Sequence, residues 1–160
     1  MNQQVVEKLK TRFGDAILES GEFRDELTVS VAKEKIVEVC QFLKNDPELA
    51  YNLLADLCGI DMARSELRFG VIYNLYSLAT KHRIRLKTFV SEEDPAVPTV
   101  TGVWKTANWH EREAYDMFGI VFVGHPDLRR IYMPDEFEHF PLRKDFPLMG
   151  IPGSLPLPKH

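Results

Sequence analysis

The chain has 160 residues, the length of one ordinary domain, with 44% apolar and 28% charged residues. Its net charge of −4 at pH 7 argues against gripping a phosphate backbone as the main task. No apolar run reaches the ~18 residues of a membrane helix, and "MNQQVVEKLKTRFGDA" lacks the apolar stretch of a secretory signal, so membrane contact is expected only through partners.

In "VVEKLKTRF" (5–13), Val5, Val6, Leu9 and Phe13 share one side, which predicts a short amphipathic helix closed by Gly14. The segment 16–32 reads as two strands, because Leu27, Val29 and Val31 alternate with polar residues. Ile36, Val39, Cys40 and Leu43 recur at helical spacing over 33–46, before Pro47. The stretch 48–61 is ambiguous: Leu49, Leu53 and Leu57 suit a helix, whereas "ADLCGID" suits a strand. Residues 66–90 form two β-rich runs with a turn near Ala79–Lys81, a hairpin. A polar loop carrying Pro95 and Pro98 follows over 91–102, and 103–119 reads as a helix ended by Gly119. This order predicts an α+β domain, with helices packed on a mixed or antiparallel sheet, over residues 1–124.

Residues 125–160 differ. They hold seven of the ten prolines, Pro126, Pro134, Pro141, Pro147, Pro152, Pro156 and Pro158. Proline removes a backbone donor and blocks helix interiors and central strands. Yet Leu128, Ile131, Tyr132, Met133, Phe137, Phe140, Leu142, Phe146 and Leu148 are too apolar for a solvated tail, and ordering them requires burial. An extended proline-rich arm that docks on another protein is the expectation; at ~3.3 Å per residue it could reach up to roughly 120 Å.

The densest chemistry lies in "NWHEREAYDMFGIVFVGHPDLRR" (108–130). Trp104, Ala107, Glu111, Tyr115 and Phe118 fall on one helical face, so Glu111 is carried among apolar side chains. A carboxylate there must pair or neutralise. Arg129, Arg130, Arg143 and Lys144 of the arm are the expected partners, and a charge network fixing the arm to the domain and to a neighbour follows. Glu111 and Glu113 point away from each other, which disfavours a general acid–base pair. A metal-dependent enzyme built on His110, Glu113 and His125 is the alternative of another class, although no His-x-x-x-His spacing occurs. A small RNA-binding module using Lys81, Arg83, Arg85 and Lys87 is a further alternative. His82 in that hairpin is read as solvated turn chemistry. Trp104 and Trp109 are read as core or interface anchors, and Gly119 and Gly124 as turn glycines. The two cysteines, Cys40 and Cys58, are read as buried thiols; two cannot hold an iron–sulfur cluster.

Residues 111–148, "EREAYDMFGIVFVGHPDLRRIYMPDEFEHFPLRKDFPL", closely resemble the signature of the 30 kDa subunit family of respiratory complex I. The resemblance rests on Glu111, Arg112 and Glu113, with Asp116, Met117 and Phe118 following. His125, Arg129, Arg130, Ile131 and Tyr132 come next, and the block Pro141, Leu142, Arg143, Lys144, Asp145, Phe146 and Pro147 ends it. One position departs from the family pattern: Phe140 stands at the family's histidine, with His139 one residue earlier. The resemblance implies a peripheral-arm subunit of a proton-translocating NADH:quinone oxidoreductase. Such a subunit has no catalytic, cofactor-binding or metal residues of its own, while FMN, iron–sulfur clusters and quinone are bound by other subunits. It implies that the two blocks dock this chain beside a 49 kDa-type subunit that helps form the quinone pocket, on the cytoplasmic side of a bacterial inner membrane or its organelle equivalent. The equivalent subunit of a membrane-bound hydrogenase or an F420H2-type dehydrogenase is the alternative it leaves open.

Overall fold

In the computed structural model, residues 1–151 are described. The prolines at 152, 156 and 158, with the rest of the arm from 152 on, lie outside the described residues. Helix α1 (Asn2–Phe13) leads into strand β1 (Ile17–Phe23), which turns back as β2 (Glu26–Val31). Arg24 and Asp25 form the turn, both at positive φ, the backbone twist that two-residue hairpin turns favour. Helix α2 (Ile36–Asn45) follows, then β3 (Leu53–Asp61), β4 (Phe69–Tyr76) and β5 (Arg83–Val90).

These five strands make one sheet in the order β1-β2-β5-β4-β3. Only the β2–β5 pair is parallel, so the sheet is mixed. The ambiguity at 48–61 resolves as strand, because residues 53–61 pair with β4 along its length. The hairpin expected over 66–90 is β4–β5.

A single apolar cluster unites Val5 and Leu9 of α1, Ile36, Val39, Cys40 and Leu43 of α2, and the inward residues of the sheet. Leu27, Val29 and Val31 contribute from β2, and Ile84 and Leu86 from β5, as their alternation requires. Burying each large aliphatic side chain contributes about 1.5–3 kcal/mol.

The expected polar loop contains a strand, β6 (Ala96–Pro98), and a second unpredicted strand, β7 (Val121–Val123), pairs with it in parallel. Each has three residues, too few for a two-residue period to show. Pro98 fits because a two-stranded ribbon is all edge. Helix α3 occupies Ala107–Phe118, shorter at its start than expected: Val103 and Trp104 sit in the preceding turns. It packs along β3, where Gly59 leaves room; a Cβ there would stand 2.6 Å from the Phe118 ring.

Two smaller expectations change. Cys40 is buried, but Cys58 is exposed, since it lies on a strand whose alternate residue Leu57 takes the core side. His82 is half-buried rather than solvated. Its Nε2–H donates to Asn2 Oδ1 (2.6 Å), and Nδ1 accepts from the Tyr51 hydroxyl (2.5 Å), tying α1 to the β4–β5 turn.

Candidate functional site: a charged clamp on helix α3

Helix α3 carries Glu111, Arg112 and Asp116 inward and Glu113 outward. Glu111 is completely buried, as its apolar face demanded, but no arm arginine meets it. Its partners come from the segment after β6: the Thr99 hydroxyl donates to Oε2 at 2.5 Å and the Val100 N–H to Oε1 at 2.7 Å. Burial pushes its carboxyl up to about 7, with these two bonds pulling the other way. The sequence-based pairing fails because the nearest donors belong to the β6–α3 connection, which packs directly over the helix.

His125 lies beside Glu111, with Nε2 3.9 Å from Oε2. Its Nδ1 accepts the Asp127 N–H at 3.0 Å, which leaves the proton on Nε2, donating to the Asn108 carbonyl at 3.2 Å. The ring therefore pins the turn after β7 to the first turn of α3. His110 stands apart, 3.6 Å from Asp56, and Glu113 is exposed. The arrangement does not bring His110, Glu113 and His125 together. Among the described residues no group of three or more His, Cys, Asp or Glu side chains converges on a point.

Asp116 is where the arm is held. Its Oδ1 takes the Arg130 guanidinium at 2.8 Å, and its Oδ2 accepts the N–H groups of Ile131, Tyr132 and Met133 at 3.0, 2.7 and 3.1 Å. Burial by itself would raise this carboxyl, yet the three backbone donors and Arg130 hold it below the usual carboxylate range. Arg112 clamps from the other side. It lies over the Trp109 ring at 4.9 Å and donates to the carbonyls of Arg129 and Arg130. Arg129 itself turns outward and pairs with Asp127. Arg130 completes its fork by donating to the His139 carbonyl.

A second anchor, with no counterpart among the sequence-based expectations, lies where β3 ends and β4 begins. Asp61 and Arg68 face each other in a two-pronged ion pair, 3.1 Å from Nε and 2.9 Å from Nη2. Arg68 also reaches Glu92 and Asp145. The Lys144 N–H donates to Asp61 Oδ2 at 2.8 Å, although the Lys144 side chain is exposed. Asp61 is held well below its ordinary pKa, first by the Arg68 guanidinium. Arg143 donates to the Phe118 carbonyl at 2.7 Å and lies between the rings of Phe69 and Phe140, 4.6 and 4.5 Å from their centroids. Pro141 is half-buried, and the Leu142 N–H donates to the Met117 carbonyl. No sequence spacing links Asp61 to Lys144.

The segment 125–151 thus has no helix or strand, yet it is stitched to its own domain at Asp116, Phe118 and Asp61. Of its apolar groups, Phe137 is buried and Leu128 packs on the core. Tyr132 and Leu142 remain more than half exposed, and Leu148 and Met149 are almost fully so.

Fold and site together define an α+β domain with an irregular segment fastened to it by buried charges. The chain matches the family described as respiratory-chain NADH dehydrogenase, 30 Kd subunit, over residues 29–152, and it belongs to that family. An NADH-quinone oxidoreductase subunit from Roseiflexus sp. (strain RS-1) is 53% identical over 147 residues, 92% of this chain and 84% of that protein. The corresponding protein of Geotalea uraniireducens (strain Rf4) is 53% identical over 149 residues, 93% of this chain and 90% of its own. Among solved structures, the trypsin-resistant fragment of Nqo5 superposes with a TM-score of 0.68 at 36% identity, covering 80% of this chain and 100% of the fragment.

Proposed function

We propose that this chain is a structural subunit of the peripheral arm of a proton-translocating NADH:quinone oxidoreductase, carrying no cofactor and performing no redox step itself. FMN, iron–sulfur clusters and quinone are held by other subunits. Its work is to position a 49 kDa-type neighbour, on the cytoplasmic face of a bacterial inner membrane or the organelle equivalent. The observation that carries this reading is the double fastening of 125–146 by Asp116 and Asp61, which holds Tyr132 and Leu142 outward as ready contacts. An irregular segment fixed in this way gives a partner a preorganised surface, which lowers the entropy cost of binding. Rigid placement matters because an ångström-scale shift at a remote reacting site can slow it about 100-fold.

Arg143→Ala tests the proposal. It removes the bond to Phe118 and the stacking between Phe69 and Phe140, at the base of the exposed surface. The expected outcome is a folded isolated chain but a complex that assembles poorly and loses quinone reductase activity. A variant complex that forms normally with full activity overturns the reading. Oxidation of NADH, rather than of hydrogen or a reduced deazaflavin, by the purified complex separates this function from the related hydrogenase and F420H2-type assemblies.

A further inference from the structure

The sheet face opposite the helices carries a separate feature. Arg83, Arg85 and Lys87 alternate along β5 with the buried Ile84, Leu86 and Thr88, so all three cations project from the outer face. Because β5 is the central strand, this cationic column forms a ridge down the middle of the sheet. Arg85 pairs with Glu26 at 3.2 Å and also reaches Asn74. Arg83 lies over the Tyr76 ring at 5.6 Å and is exposed.

Two hollows flank the ridge. The larger, about 420 Å³, lies over β3 and β4, with Leu53, Ala55 and Tyr76 supplying apolar surface, Arg83 and Arg85 one wall, and Glu26, already paired with Arg85, at its edge. Cross-strand pairing sets this arrangement, since Leu53 is opposite Tyr76, and Tyr76 opposite Arg83. The smaller hollow, about 260 Å³, sets two acids, Glu19 and Glu22, against Lys87 alone, so its charge balance is negative where that of the larger is positive. Of the two, the larger joins an apolar floor to a net positive wall. We propose that this hollow docks an acidic, apolar segment of a neighbouring protein, whose carboxylate meets the exposed Arg83 beside the Arg85–Glu26 pair while its apolar side chains settle against Leu53, Ala55 and Tyr76. Charge complementarity selects the occupant: in a chain of net charge −4 this hollow sets Arg83 and Arg85 against the single acid Glu26, beside surface suited to aliphatic groups. The surface shares no residue with the segment 125–151, and its test does not depend on that segment's role.

The full chain is titrated with an eight-residue peptide of alternating Glu and Val, followed by backbone amide shifts. The expected result is saturable binding that weakens with salt and moves the amides of Ala55 and Tyr76. Arg83→Glu and Leu53→Glu each weaken it at least about tenfold, while Lys10→Glu on α1 leaves it unchanged. Arg83→Gln, which keeps most of the stem, gives an intermediate loss and serves if the reversal disturbs folding. Binding that ignores both substitutions, or shifts confined elsewhere, overturns the proposal. Tighter binding of a single-stranded oligonucleotide, with the same dependence on Arg83, overturns it in favour of nucleic acid.

Discussion

Two carboxylates on one helix show how neighbours divide the fates of similar residues. Asp116 receives a guanidinium and three N–H groups and stays ionised; Glu111 receives a hydroxyl and a single N–H and is pushed up to about 7. Each fate predicts a measurable response. Asp116→Ala strands the Arg130 charge and three backbone donors, and should cost about 3–5 kcal/mol in urea unfolding. For Glu111 the folded pKa lies above the ordinary 4.5, so the folded state binds its proton more tightly. The associated stability is fully present below about 4.5 and is lost as the pH rises to about 7, up to roughly 3 kcal/mol in all. Glu111→Gln should remove this dependence, gaining on the wild type between pH 5 and pH 8. A stability difference that stays constant across that range would show that Glu111 does not titrate there.

At the scale of elements, the end of α3 is decided by one position. Gly119 has φ +78°, and its N–H caps the helix by donating to the Tyr115 carbonyl. A Cβ at this position would meet Arg143 Nη2 and the Phe140 ring at 2.7 Å. Gly119→Ala therefore combines left-handed strain with displacement of the arm, and should destabilise the chain by about 1–3 kcal/mol. Hydrogen exchange should quicken across 137–146 before it quickens in the sheet; unchanged exchange in that segment would contradict the close packing. The same element boundary explains why α3 starts later than the periodicity of 103–119 suggested. Val103 and Trp104 are apolar because they are buried in turns, and burial by itself does not distinguish a turn from a helix.

For the whole molecule, the segment 125–151 acts as a strap that closes the sheet-and-helix body rather than as an independent tail. Removing residues 125–160 would take away the arm partners of Asp116, the Lys144 N–H from Asp61, and Arg143 from Phe69. A fragment of residues 1–124 should unfold at lower denaturant concentration than the full chain, with a loss of about 3–5 kcal/mol. Equal midpoints would mean that the strap adds nothing to the body it crosses. A strap also suits membership of a multisubunit family, since it offers exposed groups such as Tyr132 and Leu142 at low entropic cost.

What the sequence determined by itself is whatever repeats locally. The alternation in β2, the helical spacing of α1 and α2, and the β4–β5 hairpin were legible because side-chain period follows backbone geometry. The family blocks were legible too, as an ordered run of particular residues. The partners of those residues were not. Glu111 chose Thr99 and Val100 over the arginines, Lys144 reached Asp61 through its backbone, and Arg68 joined an anchor that no motif announced. The strands β6 and β7 were invisible for the same reason, each being stabilised by the other across more than twenty residues. Composition could say that buried charges must be satisfied; only the packed chain, by bringing distant backbone donors within 3 Å, decided which groups would do so.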